Sequence, residues 1–283
     1  MWRAGSLLVL AAVAGCEPGT SGTCAASPQE VWIIDSLAFG RIEAGRSEGF
    51  DLDQRTSAQC GARDYSDAAG TPGIDNALGV LLPVVEAQAV GGTQLDYLLQ
   101  DSIASGQILL ALELDGIDDH RSDGCVGARM RRLTGDPLLG ADNRLLGGQT
   151  LYPDTTAPVS ELGTTSLRWL GSEDPSAGGT VETAPADIVL PVSILDARFT
   201  LNLRGGQVRF RYTGEGRAEG VIAGGVDVEE ILAVVATLNV PSDLMETAEL
   251  LVRSGADLTP VSGDCTQLSA VLTFTAVRGF VGE

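Results

Sequence analysis

The chain has 283 residues, of which 38 are acidic and 18 basic, so its formal charge is −20 at pH 7. This negative charge argues against nonspecific nucleic-acid binding, which needs a basic surface to meet the phosphates. Every basic residue is arginine. The lack of lysine excludes Schiff-base, P-loop-lysine and Ser–Lys chemistry.

The N-terminal residues predict export. One positive charge, Arg3, precedes an apolar run over residues 4–13 that is too short to span a bilayer, which takes roughly 20 apolar residues. Val13-Ala14-Gly15-Cys16 follows and resembles the lipobox of bacterial lipoproteins. The resemblance implies cleavage before Cys16, diacylglycerol on its thiol and a further acyl chain, such as palmitate, on the new N-terminus. Two or more acyl chains give stable anchoring.

The resulting organisation is a signal peptide over 1–15, a flexible tether over 16–30 and a single exported domain over 31–283. An internal boundary near 171–187 is left open, because that stretch is rich in Gly, Ser, Pro and acidic residues. We expect the protein in the cell envelope, lipid-anchored to a membrane, on either its periplasmic or its surface face.

Four cysteines remain after Cys16, and an even number in an oxidising compartment predicts two disulfides. Of three connectivities we favour Cys60–Cys125, because both residues lie in acidic loops that flank one helical region. This choice leaves Cys24 with Cys265. Zinc is the alternative, although the spacings contain no CxxC pair.

Hydrophobic periodicity predicts strands and helices in alternating blocks. A helix with Pro83 inside its pattern begins near Leu78, and Asp227 is predicted to cap a later one. The other predicted elements are strands over 31–40, 107–114 (buried on both faces), 126–133, 217–223 and 267–277, and helices over 95–103 and 242–255.

The sharpest local prediction is a β-hairpin with a turn at Gly205-Gly206. Apolar residues alternate with polar ones on both sides of this dipeptide, and counting outward pairs Phe199 with Tyr212 on the buried face. Taken together, the elements predict an α+β fold: a mostly antiparallel β-sheet with helix pairs packed on it.

Aspartates in two loop regions are candidate oxygen ligands for Ca²⁺, and no other cofactor is expected. The EF-hand pattern fails, because Arg55 and Thr56 occupy a ligand position and the required glycine position. Solvated surface carboxylates are the alternative. The candidates are Asp51, Asp53 and Asp64, with Asp67 and Asp75 nearby, and Asp115, Asp118, Asp119 and Asp123.

Catalytic signals are few. Gly45 to Gly49 matches GxSxG around Ser47, but this motif has meaning only between a strand and a helix, and an acidic, turn-rich segment follows it here. His120, the only histidine, would be its only base, and one histidine cannot make a histidine-rich metal site. We therefore assign no catalytic residue, while a pair of carboxylates acting on glycans stays open.

Arginines alternate along the predicted hairpin and make its polar face a candidate anion-binding face. The alternative is pairing with the protein's own acids. The residues are Arg198, Arg204, Arg209 and Arg211, with Arg129 and Arg131 on the strand over 126–133.

The segments GFDLDQRTS, CGARDYSDAAGTPGIDNALG, LDYLLQDSI and CTQLSAVLTFTAV resemble those of exported lipoproteins of myxobacteria. This resemblance implies export and lipid anchoring, and it carries over no catalytic residue. The sequence thus favours a non-enzymatic binding or interaction module. Its partners are the membrane, through the anchor, and a protein, glycan or lipid ligand, but not nucleic acid. The alternative is an exported carboxylate-dependent hydrolase that acts on glycans.

Overall fold

The computed structural model describes residues 29–56, 63–88, 94–169, 178–194, 197–214, 216–237, 242–261 and 264–282. Within these ranges the chain forms thirteen strands and four helices. The strands are β1 (Glu30–Phe39), β2 (Tyr65–Ser66), β3 (Pro72–Ile74), β4 (Leu110–Asp115), β5 (Asp123–Thr134), β6 (Thr150–Pro153), β7 (Ser160–Arg168), β8 (Thr180–Glu182), β9 (Ala186–Ile194), β10 (Ala197–Gly214), β11 (Arg217–Asp227), β12 (Leu258–Val261) and β13 (Asp264–Val281). The helices are α1 (Ala77–Gln88), α2 (Leu95–Ala104), α3 (Val228–Thr237) and α4 (Ser242–Gly255).

Eight of the strands pair side by side to form one closed sheet. The pairings run β1–β4–β5–β7–β8–β10–β11–β13, and β13 pairs with β1 again. All eight pairings are antiparallel. The mostly antiparallel sheet, together with the four helices of the described ranges, confirms the coarse form of the α+β prediction.

Side chains fill the interior of the closed sheet. Trp32, Leu112 and Met130 occupy paired positions on neighbouring strands, and all three are buried in the main core together with Phe210. Because one face of every strand points inward, the alternating pattern of the long strands places their apolar residues in this core. β4 is buried on both faces, as its continuous apolar run predicts.

The outer face of β11 and β13 is covered by the segment between β1 and α1. Phe50 and Leu52 of this segment pack on Val221, Ala223 and Val271. α1 follows directly, and its Leu81 shares a smaller core with Val252 of α4 and Leu268 of β13. None of the helices in the described ranges is long and apolar enough to cross a membrane.

The predicted hairpin at Gly205-Gly206 is wrong. β10 continues as one strand through these glycines, and its pairings with β9 and β11 both shift register there. Gly205 has φ +57°, whereas Gly206 is not left-handed, so the type I′ turn, which needs two positive φ values, cannot form. A bulge therefore lies where the turn was predicted.

The same bulge explains why the pattern was misleading. Leu203 and Val208 are five positions apart, which in a regular strand would place them on opposite faces, yet both lie in the main core. Phe199 and Tyr212 consequently lie far apart on one strand. Their neighbours across the sheet are Val192 and Ala218.

Other local predictions are confirmed. α1 contains Pro83, and the strands over 31–40, 217–223 and 267–277 lie within or nearly within β1, β11 and β13. Asp227 caps α3, since its Oδ1 accepts a hydrogen bond from the backbone N of Glu229 at 2.9 Å. Glu230 completes no capping box, because its Oε1 accepts the side-chain amide of Asn202 instead.

The two disulfides stay a prediction, and the topology favours another pairing than the one inferred from sequence. Cys24 and Cys60 lie outside the described residues. Cys125, at the exposed start of β5, is on the opposite side of the closed sheet from the β11–β13 face that Phe50 and Leu52 cover, and Cys60 follows Leu52 by eight residues. Cys24 precedes Glu30 by six residues, at most about 21 Å of chain, and Glu30 lies at the same sheet end as Cys125.

We therefore expect Cys24–Cys125 and Cys60–Cys265 rather than the pairing inferred from sequence. Peptide mapping of the unreduced exported protein should recover these two linked peptides. Recovery of Cys60 linked to Cys125 would contradict the revised pairing.

Candidate metal centre

Three aspartates meet where the segment after Phe50 approaches the start of α1. One carboxylate oxygen from each of Asp51, Asp53 and Asp75 lies within 4.8 Å of the others. Asp75 is only 3% exposed, and the other two are half-buried. Two of the three were candidate ligands in the sequence, and the third was noted in the same acidic stretch.

Backbone hydrogen bonds fix the three carboxylates in place. Asp75 Oδ2 accepts the backbone N of Leu52 at 2.7 Å. Asp51 Oδ1 and Asp53 Oδ1 both accept the backbone N of Arg55, at 2.8 and 2.9 Å. These hydrogen bonds hold the three carboxylates in one place, where they could act together as oxygen ligands.

The loop depends on one glycine. Gly73 has φ +95°, and a Cβ there would lie 2.8 Å from the carbonyl O of Arg55 and 3.1 Å from Asp51 Oδ2. A larger residue would therefore push the loop away from the cluster as well as straining its own backbone. The TPG segment before Asp75 thus has a direct role in shaping the centre.

Asp257, from the other end of the chain, lies near enough to the cluster for its charge to act on Asp75. It is buried just after α4, and its Oδ1 accepts the backbone N of Ser269 at 2.7 Å. Ser269 Oγ in turn accepts the backbone N of Ala77, the first residue of α1. Sequence reasoning missed Asp257, because only the folded chain brings it close to Asp75.

The electrostatics of the cluster are unfavourable without a cation. Burial, opposed by the hydrogen bond from Leu52 and reinforced by the charges of Asp53 and Asp257, raises the pKa of Asp75 to about 7. Burial also raises the pKa of Asp257 to about 6, although its hydrogen bonds to Ser269 act in the opposite direction.

Asp64 is a further carboxylate whose hydrogen bonding is incomplete among the described residues. Burial, followed by the charges of Asp53 and Asp51, raises its pKa above the usual value. Its Oδ2 is buried and has no hydrogen-bond partner among the described residues. A buried acceptor of this kind costs stability unless water or an ion meets it.

Buried acids elsewhere in the described chain have cationic partners. Glu113, fully buried on β4, forms ion pairs with Arg129 and Arg131. By contrast, none of the ion pairs between described residues involves Asp51 or Asp75. The cluster therefore differs from the structural ion pairs of the same fold.

Glu30 has the most complete set of partners. Trp32 Nε1 and Tyr212 Oη donate to its Oε2 at 3.2 and 3.0 Å, and His120 Nε2 and Arg278 approach its Oε1 at 2.7 and 3.0 Å. Burial would raise the pKa of Glu30, but the hydrogen bond from His120 and the charge of Arg278 outweigh it, so the pKa is lowered. The only histidine thus stabilises one end of the closed sheet.

The remaining candidate aspartates lie elsewhere. Asp123 Oδ2 accepts the backbone N of Asp118, and Asp119 Oδ1 accepts that of Arg121, so both shape the turn before β5. Asp115 lies 3.4 Å from Arg129. Asp118, Asp119, Asp123 and Asp115 are therefore grouped at the β4–β5 connection, away from Asp51, Asp53 and Asp64.

Described arginines of the predicted anion-binding face have acidic partners. Arg204 pairs with Asp187 at 3.1 Å, Arg209 with Glu182 at 2.9 Å, and Arg211 with Glu219. The side chain of Arg198 lies outside the described residues. These three arginines therefore pair with acids of the protein itself, which is the alternative to an anion-binding face.

Ser47 of the GxSxG match is buried and has two polar contacts. Its hydroxyl donates to the carbonyl O of Glu48 and accepts the side-chain amide of Asn76, the N-cap of α1. It therefore has a structural role beside the aspartate cluster.

No protein-family profile, curated protein or solved structure matches this chain. The case for function therefore depends on the geometry described above.

Removal of cations should make stability fall as pH rises. Asp75 ionises near 3.8 in the unfolded chain but near 7 in the folded one, so between these values only the folded state keeps the proton and rising pH favours unfolding. Melting temperatures measured in chelator should therefore decline over this range, and Asp75→Asn should flatten the decline. Asp136→Asn, at an exposed position, is the control; equal slopes in both variants would contradict the assignment.

Proposed function

We propose that the chain is an envelope-anchored, non-enzymatic binding module whose aspartate cluster binds Ca²⁺. The observation that carries the proposal is the approach of Asp51, Asp53 and Asp75 within 4.8 Å, with Asp75 almost fully buried. Ca²⁺ takes six to eight oxygen ligands, and its flexible geometry suits carboxylates and water better than the strict octahedron of Mg²⁺ does.

A bound divalent cation would remove the cost that the cluster carries. It would neutralise the charges that contribute to the raised pKa of Asp75 and coordinate carboxylate oxygens of the cluster. The site would also join two distant parts of the chain, because Asp75 directly precedes α1 and Asp257 directly follows α4. Packing of α1 and α4 as a helix pair on the sheet belongs to this proposal, supported by their shared contacts with Leu268.

Ca²⁺ should raise the melting temperature. If the affinity is that of an extracellular module, a concentration 100 times Kd adds about 2.7 kcal/mol, or roughly 5–10 °C for a domain of this size. Asp53→Asn should abolish most of this shift, because it removes a ligand charge. Asp119→Asn, on the β4–β5 connection, should leave it intact. Equal shifts in both variants would show that the site is elsewhere.

The anchor is the other part of the proposal, and the lipobox-like sequence ending at Cys16 supports it. Cys16→Ser should move the protein from the membrane fraction to the soluble fraction, since the thiol is the expected acylation site. Ser21→Ala, in the expected tether, is a control that keeps the anchor and all the cysteines. Continued palmitate labelling of the Cys16→Ser protein would disprove the assignment.

A carboxylate-dependent glycan hydrolase is the second candidate, and the raised pKa of Asp75 beside Asp53 favours it. The site geometry gives it less support than it gives cation binding. Two cavities of about 560 and 680 Å³ are described in the structure, and neither is lined by these carboxylates. Release of reducing sugar ends from envelope glycan, lost in Asp75→Asn, would favour the hydrolase.

A further inference from the structure

A groove of about 680 Å³ crosses the outer face of the closed sheet. Its lining residues come from β1, β13, β11, β10 and β8, which are neighbours in the sheet, and from Glu48 and Ala68 of the segment between β1 and α1. We call it the polar groove. Five strands spaced about 4.8 Å apart give it a length of at most about 19 Å, which suits an extended ligand rather than a single small molecule.

One row of floor residues follows the strand register across the groove. Ala38 pairs with Thr273, Thr273 with Val221, and Val221 with Arg209. Thr273 lies between two core residues of β13, so its side chain points out of the closed sheet.

A second row lies two positions further along each strand. Ser36 pairs with Thr275, Thr275 with Glu219, and Glu219 with Arg211. The hydroxyl of Thr275 donates to Oδ1 of the buried Asp35 at 2.7 Å, which fixes its position on the floor. The two rows therefore present hydroxyl, guanidinium and carboxylate groups side by side.

The groove is balanced in charge. Arg209 and Arg211 line it together with Glu48 and Glu219, and Arg211 forms an ion pair with Glu219. A polyanion would meet two carboxylates there, and the net charge of −20 would repel it from the chain as a whole. The groove therefore suits an uncharged ligand.

The groove offers little to an apolar partner. Its apolar lining residues are alanines or, like Val221 and Phe274, are buried. None of the large apolar side chains that are exposed in the described ranges lines it, so a lipid or an amphipathic helix has no apolar surface to cover. Each of the five strands also pairs with another strand on both sides, which prevents a peptide from adding as a further strand.

The hydrogen-bonding groups of the floor match those of a sugar. A Ser or Thr hydroxyl both donates and accepts, a guanidinium donates, and a carboxylate accepts. The hydroxyl groups of a sugar also donate and accept, so a chain of sugar units can pair with donors and acceptors that alternate along the groove. The volume lies within the range of roughly 300–1,000 Å³ that is usual for ligand sites.

We propose that the polar groove binds an uncharged oligosaccharide, that is, a chain of sugar units without carboxylate, phosphate or sulfate groups. The inference rests on the proposed function as a binding module and names its ligand class. Thr273 and Arg211, one from each row, contact the sugar hydroxyl groups.

Binding to an array of defined oligosaccharides tests the ligand class. The full exported protein is applied, in buffer with Ca²⁺, to neutral oligomers of glucose, galactose, mannose, xylose and N-acetylglucosamine, and to polyuronate, sulfated and sialylated glycans. We expect tighter binding to at least one neutral series than to any charged glycan. Absence of binding to the neutral oligomers, or equal or tighter binding of charged ones, would overturn the proposal.

A matched pair of arginine variants locates the site. Arg204 and Arg211 are both half-exposed on β10 and each pairs with one acid, but only Arg211 lines the groove. Arg211→Gln should weaken binding of the neutral oligomer roughly tenfold in titration calorimetry, because it removes hydrogen bonds from a charged donor. Arg204→Gln should leave Kd unchanged. Equal values of Kd for the two variants, with melting temperatures showing that both are folded, would place the ligand elsewhere and overturn the proposal.

A pair of threonine variants tests the floor without changing charge. Thr273→Val keeps the shape of the side chain and removes its hydroxyl, so we expect several-fold weaker binding. Thr164→Val, at an exposed position of β7 outside the groove, is the control and should bind as the unchanged protein does. Unchanged affinity in Thr273→Val would contradict the contact with the floor.

The groove and the candidate cation site fail separately in these measurements. A protein that Ca²⁺ stabilises against melting but that binds no neutral oligomer would overturn the groove and keep the cation site. Oligomer binding that is weakened by Arg211→Gln, in a protein whose melting temperature Ca²⁺ does not change, would keep the groove and overturn the cation site.

Discussion

The pairing of β1 with β13 is the contact on which the rest of the structure depends. It joins the first and last long strands of the described chain over eight register positions, from Val31 with Gly279 to Phe39 with Leu272. Because this pairing closes the sheet, these long strands present no free edge, and the apolar face of each strand is shielded from water by all the others. The same pairing places both the chain entry and the last residues at one end.

The buried acids of this fold have two different kinds of surroundings. Glu30 is surrounded by hydrogen-bond donors and Glu113 lies between two arginines, so each has partners within the protein itself. The cluster around Asp75 instead brings carboxylates together, and no arginine of the described ranges forms an ion pair with Asp51 or Asp75. In a chain of net charge −20, few basic side chains are available to pair with buried acids. Described arginines pair with Glu30 and Glu113 but not with Asp75, which supports a different role for the cluster around Asp75.

Local physics made much of the fold predictable from sequence. The strands around Ile33, Leu112 and Phe274 and the cap at Asp227 follow from periodicity and side-chain chemistry within a few residues. The bulge at Gly205-Gly206 did not, because a change of phase in the alternation fits a turn and a bulge equally well. Closure of the sheet, and the approach of Asp257 to Asp75, join residues far apart in sequence, so no local pattern contains them.

The separation of Asp75 and Asp257 along the chain links cation binding to completion of the fold. Asp51, Asp53 and Asp75 come together, and the charge of Asp257 acts on Asp75, only in the folded chain, so a cation bound there would stabilise the folded state alone. Where divalent cations are scarce, the crowded carboxylates would weaken that fold. Where they are plentiful, the same residues would favour it, so the ionic medium would set the balance between the folded and the unfolded chain.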